Sequence, residues 1–146
     1  MSNSNAGASV EIIRFLEWDE TDAAGHHHYA SVFRWVEELE AKLYRDLGLP
    51  STLFGQIPRV KVAMEYRRRI FFGEVVTTHL KVIRVGNSSM ELDFKAYVGS
   101  EIAAEGNYII VHSPDKETGS RDRSPNSAGA YLSFHQFAAD SSNLRS

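Results

Sequence analysis

Hydrophobic and polar positions alternate along this chain with two different rhythms. From Val32 the spacing is helical: Val32, Val36, Leu39, Leu43 and Leu47 fall on one stripe, and Phe33 widens it. Glu38 and Lys42 stand one helical turn apart and read as a surface ion pair. Gly48 followed by Pro50 is a stop signal, because glycine takes the left-handed cap and proline forbids continuation. The pattern predicts a helix over residues 29–47. On either side of it the rhythm shortens to two. Val10 to Trp18 is rich in β-branched and aromatic residues and reads as a strand. Val60, Val62, Met64 and Tyr66 share one face of the next strand, with Arg59, Lys61, Glu65 and Arg67 on the other. Phe71 to Glu74 makes a corner, Val75 to Val85 a strand, and Gly86-Asn87-Ser88 a turn. Met90, Leu92, Phe94, Ala96 and Val98 then alternate with polar neighbours, and Glu101 to His112 is the last strand.

The order is strand, loop, long helix, then strands joined by short turns, so neighbouring strands run antiparallel and the class is α+β. One helix cannot cover both faces of such a sheet. The sheet is expected to curl around it, with its other face meeting a second subunit. Residues 1–9 read as a disordered lead, 10–113 as the folded domain and 114–146 as a polar tail with Tyr131 to Phe137 as a short docking helix.

Composition narrows the function. A chain of 146 residues suits one domain with a real core. A net charge of −3 does not favour nucleic acid or anionic membrane as partner. With no cysteine there is no disulfide, thiolate metal site or cysteine nucleophile, in keeping with a reducing compartment. No apolar run approaches the ~20 residues that span a bilayer, and the start lacks the features of a secretory leader. A cytoplasmic location is the default expectation.

The densest chemistry lies in residues 18–38, WDETDAAGHHHYASVFRWVEE. Asp22 precedes the expected helix start near Tyr29, with Gly25 between them to let the backbone turn. A helix start offers unpaired N–H groups and the positive end of the macrodipole. Such donors stabilise the oxyanion that forms when a thioester carbonyl is attacked. A nearby carboxylate can attack that carbonyl or deprotonate the water that does. By spacing alone, an Asp in this place is more often a cap or turn residue.

The same residues carry a resemblance. Glu20-Thr21-Asp22-Ala23-Ala24-Gly25, then Tyr29-Ala30-Ser31 and Phe33-Arg34-Trp35-Val36-Glu37-Glu38, resemble the motif loop and helix start of the 4-hydroxybenzoyl-CoA thioesterase family, including its Tol-Pal-associated branch. Glu65 to Arg69 followed by Phe72 to Val76 is similar to that family's strand, corner and strand, and the likeness spans about residues 10–113. It implies the hot-dog fold, a curved antiparallel sheet wrapped around a long helix, assembled as homodimers or homotetramers with sites between subunits. It implies acyl-CoA thioester hydrolysis with Asp22 as catalytic carboxylate, the Tyr29 backbone N–H polarising the carbonyl, and no cofactor. The chain departs from the family pattern at Glu20, where an Asp is usual, and at His26-His27-His28.

Further candidates follow. His26, just after the turn glycine, is the histidine expected to touch substrate together with Gly25. Three adjacent histidines in an extended loop point in different directions, so no metal site is expected. Arg67, Arg68 and Arg69 form the strongest basic cluster, suited to the phosphates of coenzyme A, or else to a solvated strand end. Glu37 and Glu38 read as helix surface, Ser31 as a cap or packing residue with no nucleophile elbow around it, and Met64, Phe71, Phe72 and Trp35 as core or interface. An acyl carrier protein is the alternative donor of the thioester. A non-catalytic binding module competes with both. A dehydratase would want a histidine on the helix, which has none.

Overall fold

The computed structural model describes residues 7–50 and 55–112. The expected tail helix at Tyr131 to Phe137 lies outside the described residues. Five strands, β1 (Ser9–Phe15), β2 (Arg59–Tyr66), β3 (Val75–Val85), β4 (Ser89–Val98) and β5 (Glu101–Val111), form one antiparallel sheet in the order β1-β3-β4-β5-β2. A single long helix, α1 (Ser31–Asp46), lies against it.

The sheet's inner face follows the period-two pattern. Val76, Thr78, Leu80 and Val82 of β3 and Met90, Leu92, Phe94 and Ala96 of β4 are all buried. From the helix, Val32, Trp35, Val36, Leu39, Leu43 and Tyr44 close the core. The buried stripe thus turns toward Trp35 and Tyr44, and Phe33, expected to widen it, is 37% exposed.

Helix α1 ends as Gly48 and Pro50 dictate. Gly48 has φ +71°, its N–H reaches the Arg45 carbonyl, and the Leu49 N–H reaches back to Tyr44, which together satisfy the last carbonyls. At the other end α1 begins two residues later than expected, since Ala30 caps it and Tyr29 sits in the turn before. Strand β1 stops at Phe15 rather than Trp18, because Trp18–Glu20 winds into a short 3-10 turn.

Two expected pairings change. A register shift between Arg59 and Lys61 breaks the alternation of β2 and sends Arg59 to Glu40 on α1, away from the outer face. Glu38 turns to Arg14 of β1 and approaches Arg34, while Lys42 pairs with Asp46 at 3.0 Å, so the Glu38–Lys42 pair does not form.

Candidate active site

The loop between the 3-10 turn and α1 is built from its own hydrogen bonds. Asp22 donates its N–H to the His26 carbonyl at 2.9 Å, and the Gly25 N–H returns to the Asp22 carbonyl at 3.0 Å. Gly25 has φ +85°, a conformation that glycine tolerates and other residues resist. Thr21 bridges to His27, and His26 bridges to Phe71 at the corner before β3. The loop is therefore clamped to the strand-corner region that carries Arg67 to Ile70.

Asp22, His26, His27, Tyr29, Tyr66, Arg67, Arg68 and Arg69 line one pocket of about 430 Å³. Of the expected site residues only Gly25 is not on its wall; it shapes the turn beneath. Asp22 Oδ1 accepts the Ala24 N–H at 2.8 Å. Oδ2 lies 3.9 Å from His26 Nδ1, and the side chain is 31% exposed. One oxygen is thus held by the backbone, and the partly exposed side chain lines the cavity. This is the turn-residue geometry that spacing alone favoured, and it coexists with access to the pocket.

Tyr29 lies before the helix, not in its first turn. Its N–H has no acceptor among the described residues, while the following Ala30 N–H is taken by His28 Nδ1 at 3.1 Å. The Tyr29 carbonyl accepts the Tyr66 hydroxyl at 2.7 Å. Burial lifts the Tyr66 hydroxyl above its ordinary pKa, so it stays a donor.

The three histidines do take three directions. His26 Nδ1 sits 3.1 Å from the His27 carbonyl, His27 packs inward, and His28 stacks on Tyr29 with ring centroids 4.8 Å apart. Among the described residues no cluster of three or more histidine and carboxylate side chains is arranged to hold a metal.

The arginines are unequal. Arg67 is paired with Glu65 and Glu105, and Arg68 with Glu74 and Glu101. That hydrogen bond from Arg68 holds Glu74 below its usual pKa. Arg69, exposed, pairs with no carboxylate among the described residues. Phe71 and Phe72 are 49% and 64% exposed, whereas Trp35 is wholly buried. Ser31 donates to the Glu20 carbonyl at 3.1 Å, a packing role.

Sequence reasoning passed over three residues. Glu20 is buried, accepts the Glu17 N–H at 3.0 Å and Trp35 Nε1, and so ties the loop to α1. His27 and Tyr66 line the pocket as a stacked pair, centroids 5.8 Å apart. The aromatic position Tyr66 in a strand beside Arg67 was a usable signal, as was the acidic motif position of Glu20; His27 had none, because its partner Ile70 is far along the chain.

Comparison with known proteins identifies the family and the fold. The profile of the thioesterase-like superfamily matches residues 16–126. A 1,4-dihydroxy-2-naphthoyl-CoA hydrolase of Prochlorococcus marinus (strain MIT 9303) is 26% identical over 111 residues, covering 68% of this chain and 72% of the relative. The fold is shared with a 1,4-dihydroxy-2-naphthoyl-CoA thioesterase from Synechocystis, with TM-score 0.64, 14% identity and 70% and 80% of the two chains covered. It is shared also with a gentisyl-coenzyme A thioesterase, with TM-score 0.64, 21% identity and 70% and 88% covered.

Proposed function

The chain belongs to the thioesterase-like superfamily, and from that premise we propose that it hydrolyses an acyl-CoA thioester to the free carboxylic acid and coenzyme A, with Asp22 as the catalytic carboxylate. The observation that supports this reading is that Asp22 lines one pocket together with Tyr29, whose N–H has no acceptor among the described residues. The thioester carbonyl oxygen accepts from the Tyr29 N–H. Asp22 Oδ2 either takes a proton from a water whose oxygen bonds to the carbonyl carbon, or bonds to that carbon itself and is freed by water afterwards. In both routes the C–S bond breaks as the tetrahedral oxyanion collapses, and the thiolate leaves and takes up a proton. Backbone donors that face a developing oxyanion are each worth ~10²–10³ in rate. Arg69 at the pocket rim suits a coenzyme A phosphate. The rings of His26, His27, Tyr29 and Tyr66 around the cavity favour an aromatic acyl group, the class named for the relatives above. The resemblance to the 4-hydroxybenzoyl-CoA thioesterases points the same way.

The test is a panel of aromatic, short and long acyl-CoAs, with matched acyl carrier protein thioesters, run on the wild type and on Asp22→Asn. Expected is a preference for an aromatic acyl-CoA and a fall in kcat of about 10²-fold or more in the variant. Turnover of the best substrate by Asp22→Asn within about threefold of wild type would remove Asp22 from its role. Faster turnover of carrier-bound than of CoA-bound acyl groups would reassign the donor.

A further inference from the structure

We propose that His27 supplies a second hydrogen-bond donor, its Nε2–H, to the thioester carbonyl in the pocket that it lines together with Asp22 and Tyr29. The proposal rests on the thioesterase reading and adds to it a group drawn from inside the loop.

The tautomer is set by the backbone. His27 Nδ1 lies 3.0 Å from the Ile70 nitrogen, and a peptide N–H can only donate. Nδ1 must therefore hold a lone pair, which places the proton of the neutral ring on Nε2. The ring is fixed in that orientation. The His27 N–H donates in turn to the Ile70 carbonyl at 2.7 Å, so residue 27 and residue 70 are joined by two bonds. The ring is buried and lies over Tyr66, tilted by 23°. A ring flip would turn a C–H toward the Ile70 N–H and leave that buried donor unmade, which costs about 1–3 kcal/mol.

Among the described residues the one buried side-chain nitrogen or oxygen that lacks a partner is Arg14 Nε. His27 Nε2 accepts or donates no hydrogen bond among the described residues and is not one of the fully buried atoms, and His27 lines the pocket. The groups around it are Asp22, His26 and His28 of the loop, Tyr66 of β2, and the Ile70 backbone. Burial lowers the pKa of the ring most, and His26 and His28 lower it further, against the opposing pulls of Asp22 and of the Ile70 backbone. The neutral form is therefore the one present near neutrality.

A neutral imidazole N–H can polarise a carbonyl without giving up its proton. As the attacking oxygen bonds to carbon, the C=O electron pair moves onto the oxygen. That charge is shared by Nε2–H and the Tyr29 N–H. No proton leaves His27, and none is needed, because the thiolate departs as an anion.

Two substitutions divide the ring's functions. In His27→Asn the amide oxygen stands near the Nδ1 position and keeps the Ile70 bond, but the side chain stops short of the pocket. Expected is a folded protein with KM near wild type and kcat lowered about 10²-fold. His27→Gln restores a donor near the Nε2 position and is expected to recover at least about tenfold of that loss. Independently, long-range ¹⁵N correlation spectra of the ring are expected to put its proton on Nε2. A ketone analogue of the substrate, with CH₂ in place of the thioester sulfur, should move that Nε2–H resonance downfield. The proposal is overturned if His27→Asn keeps kcat within about threefold, if the proton sits on Nδ1, or if the ketone analogue binds without moving the resonance. A wild type that turns over no thioester at all would sink the thioesterase reading itself, while the tautomer measurement would still stand.

Discussion

At the scale of single residues, the loop owes its shape to groups whose partners lie far along the chain. The Glu20 carboxylate is 7% exposed and takes Trp35 Nε1 and the Glu17 N–H, with Arg14 Nη1 at 3.8 Å. Its backbone carbonyl accepts both the His28 N–H and the Ser31 hydroxyl. A buried carboxylate so fully paired holds its segment in place, and Asp22 follows two residues later. His27 locks the other half of the loop and carries a pH signature. Its folded-state pKa is lowered, by burial first, below an unfolded value of about 6.5. Between the two values the unfolded chain binds more protons than the native one, so stability rises with pH there. The contribution is complete above about pH 6.5 and is lost as pH falls toward the lowered native value. Urea midpoints measured at about pH 8 and about pH 5 are expected to differ, and His27→Asn should shrink the difference. Equal shrinkage in His28→Asn and none in His27→Asn would assign the acid lability elsewhere.

Between elements, one buried carboxylate joins helix to sheet. Glu40 of α1 has no exposed surface and accepts from the Tyr44 hydroxyl at 2.6 Å, the Tyr108 hydroxyl of β5 at 2.9 Å and the Arg59 guanidinium of β2. Burial pushes the Tyr108 hydroxyl far above its ordinary pKa, with the Glu40 charge adding to it, so it remains a donor. Glu40→Gln removes the charge that Arg59 faces and replaces one carboxylate oxygen, which accepts hydrogen bonds in the wild type, by a donor. Expected is a loss of about 3–5 kcal/mol in urea unfolding, against about 1 kcal/mol for Tyr108→Phe, which removes one neutral partner. A loss under about 1 kcal/mol in Glu40→Gln would mean that the helix is held by apolar packing alone. This cluster also marks where reading the sequence stops. The periodicity of α1, the alternation in β3 and β4 and the Gly48 stop were legible, because each is a local pattern that burial enforces. The Asp22 pocket was legible through the spacing of Asp22, Gly25 and Tyr29 and the likeness that spacing carries. Arg59 was placed on the wrong face because a register shift in β2 reverses the alternation, and nothing in the residues 59–62 announces it. The partners of Glu38, Glu20 and His27 were not legible for a different reason. Each is chosen by tertiary proximity across 15 or more residues.

For the whole molecule, the open question is what covers the two edges of the sheet. Among the described residues strand β2 pairs only with β5, and nothing pairs with its other side. Val60 and Val62 are 60% and 46% exposed there, and Val62 shares a small cavity with Phe33 of α1 and Met64. An unpaired edge strand with exposed valines is a template for association unless it is covered. At the opposite edge Ile13, Phe15 and Val75 are 66%, 61% and 46% exposed, with Phe15 directly across from Val75. A second copy of the chain, which the family resemblance leads one to expect, would meet the β2 edge first, because β2 also ends in Tyr66, whose hydroxyl holds the Tyr29 carbonyl. A second copy on β2 would then steady the same strand that braces the pocket. Val62→Asp puts a charge into that edge and is expected to convert a dimer to monomer in sedimentation velocity, with thioester turnover falling in parallel. Phe15→Asp, on the far edge, is expected to leave a dimer intact and to dissociate only a larger assembly. A wild type that sediments as a monomer at micromolar concentration, or a Val62→Asp variant that stays dimeric, would show that the β2 edge is covered by something other than a second copy of this chain.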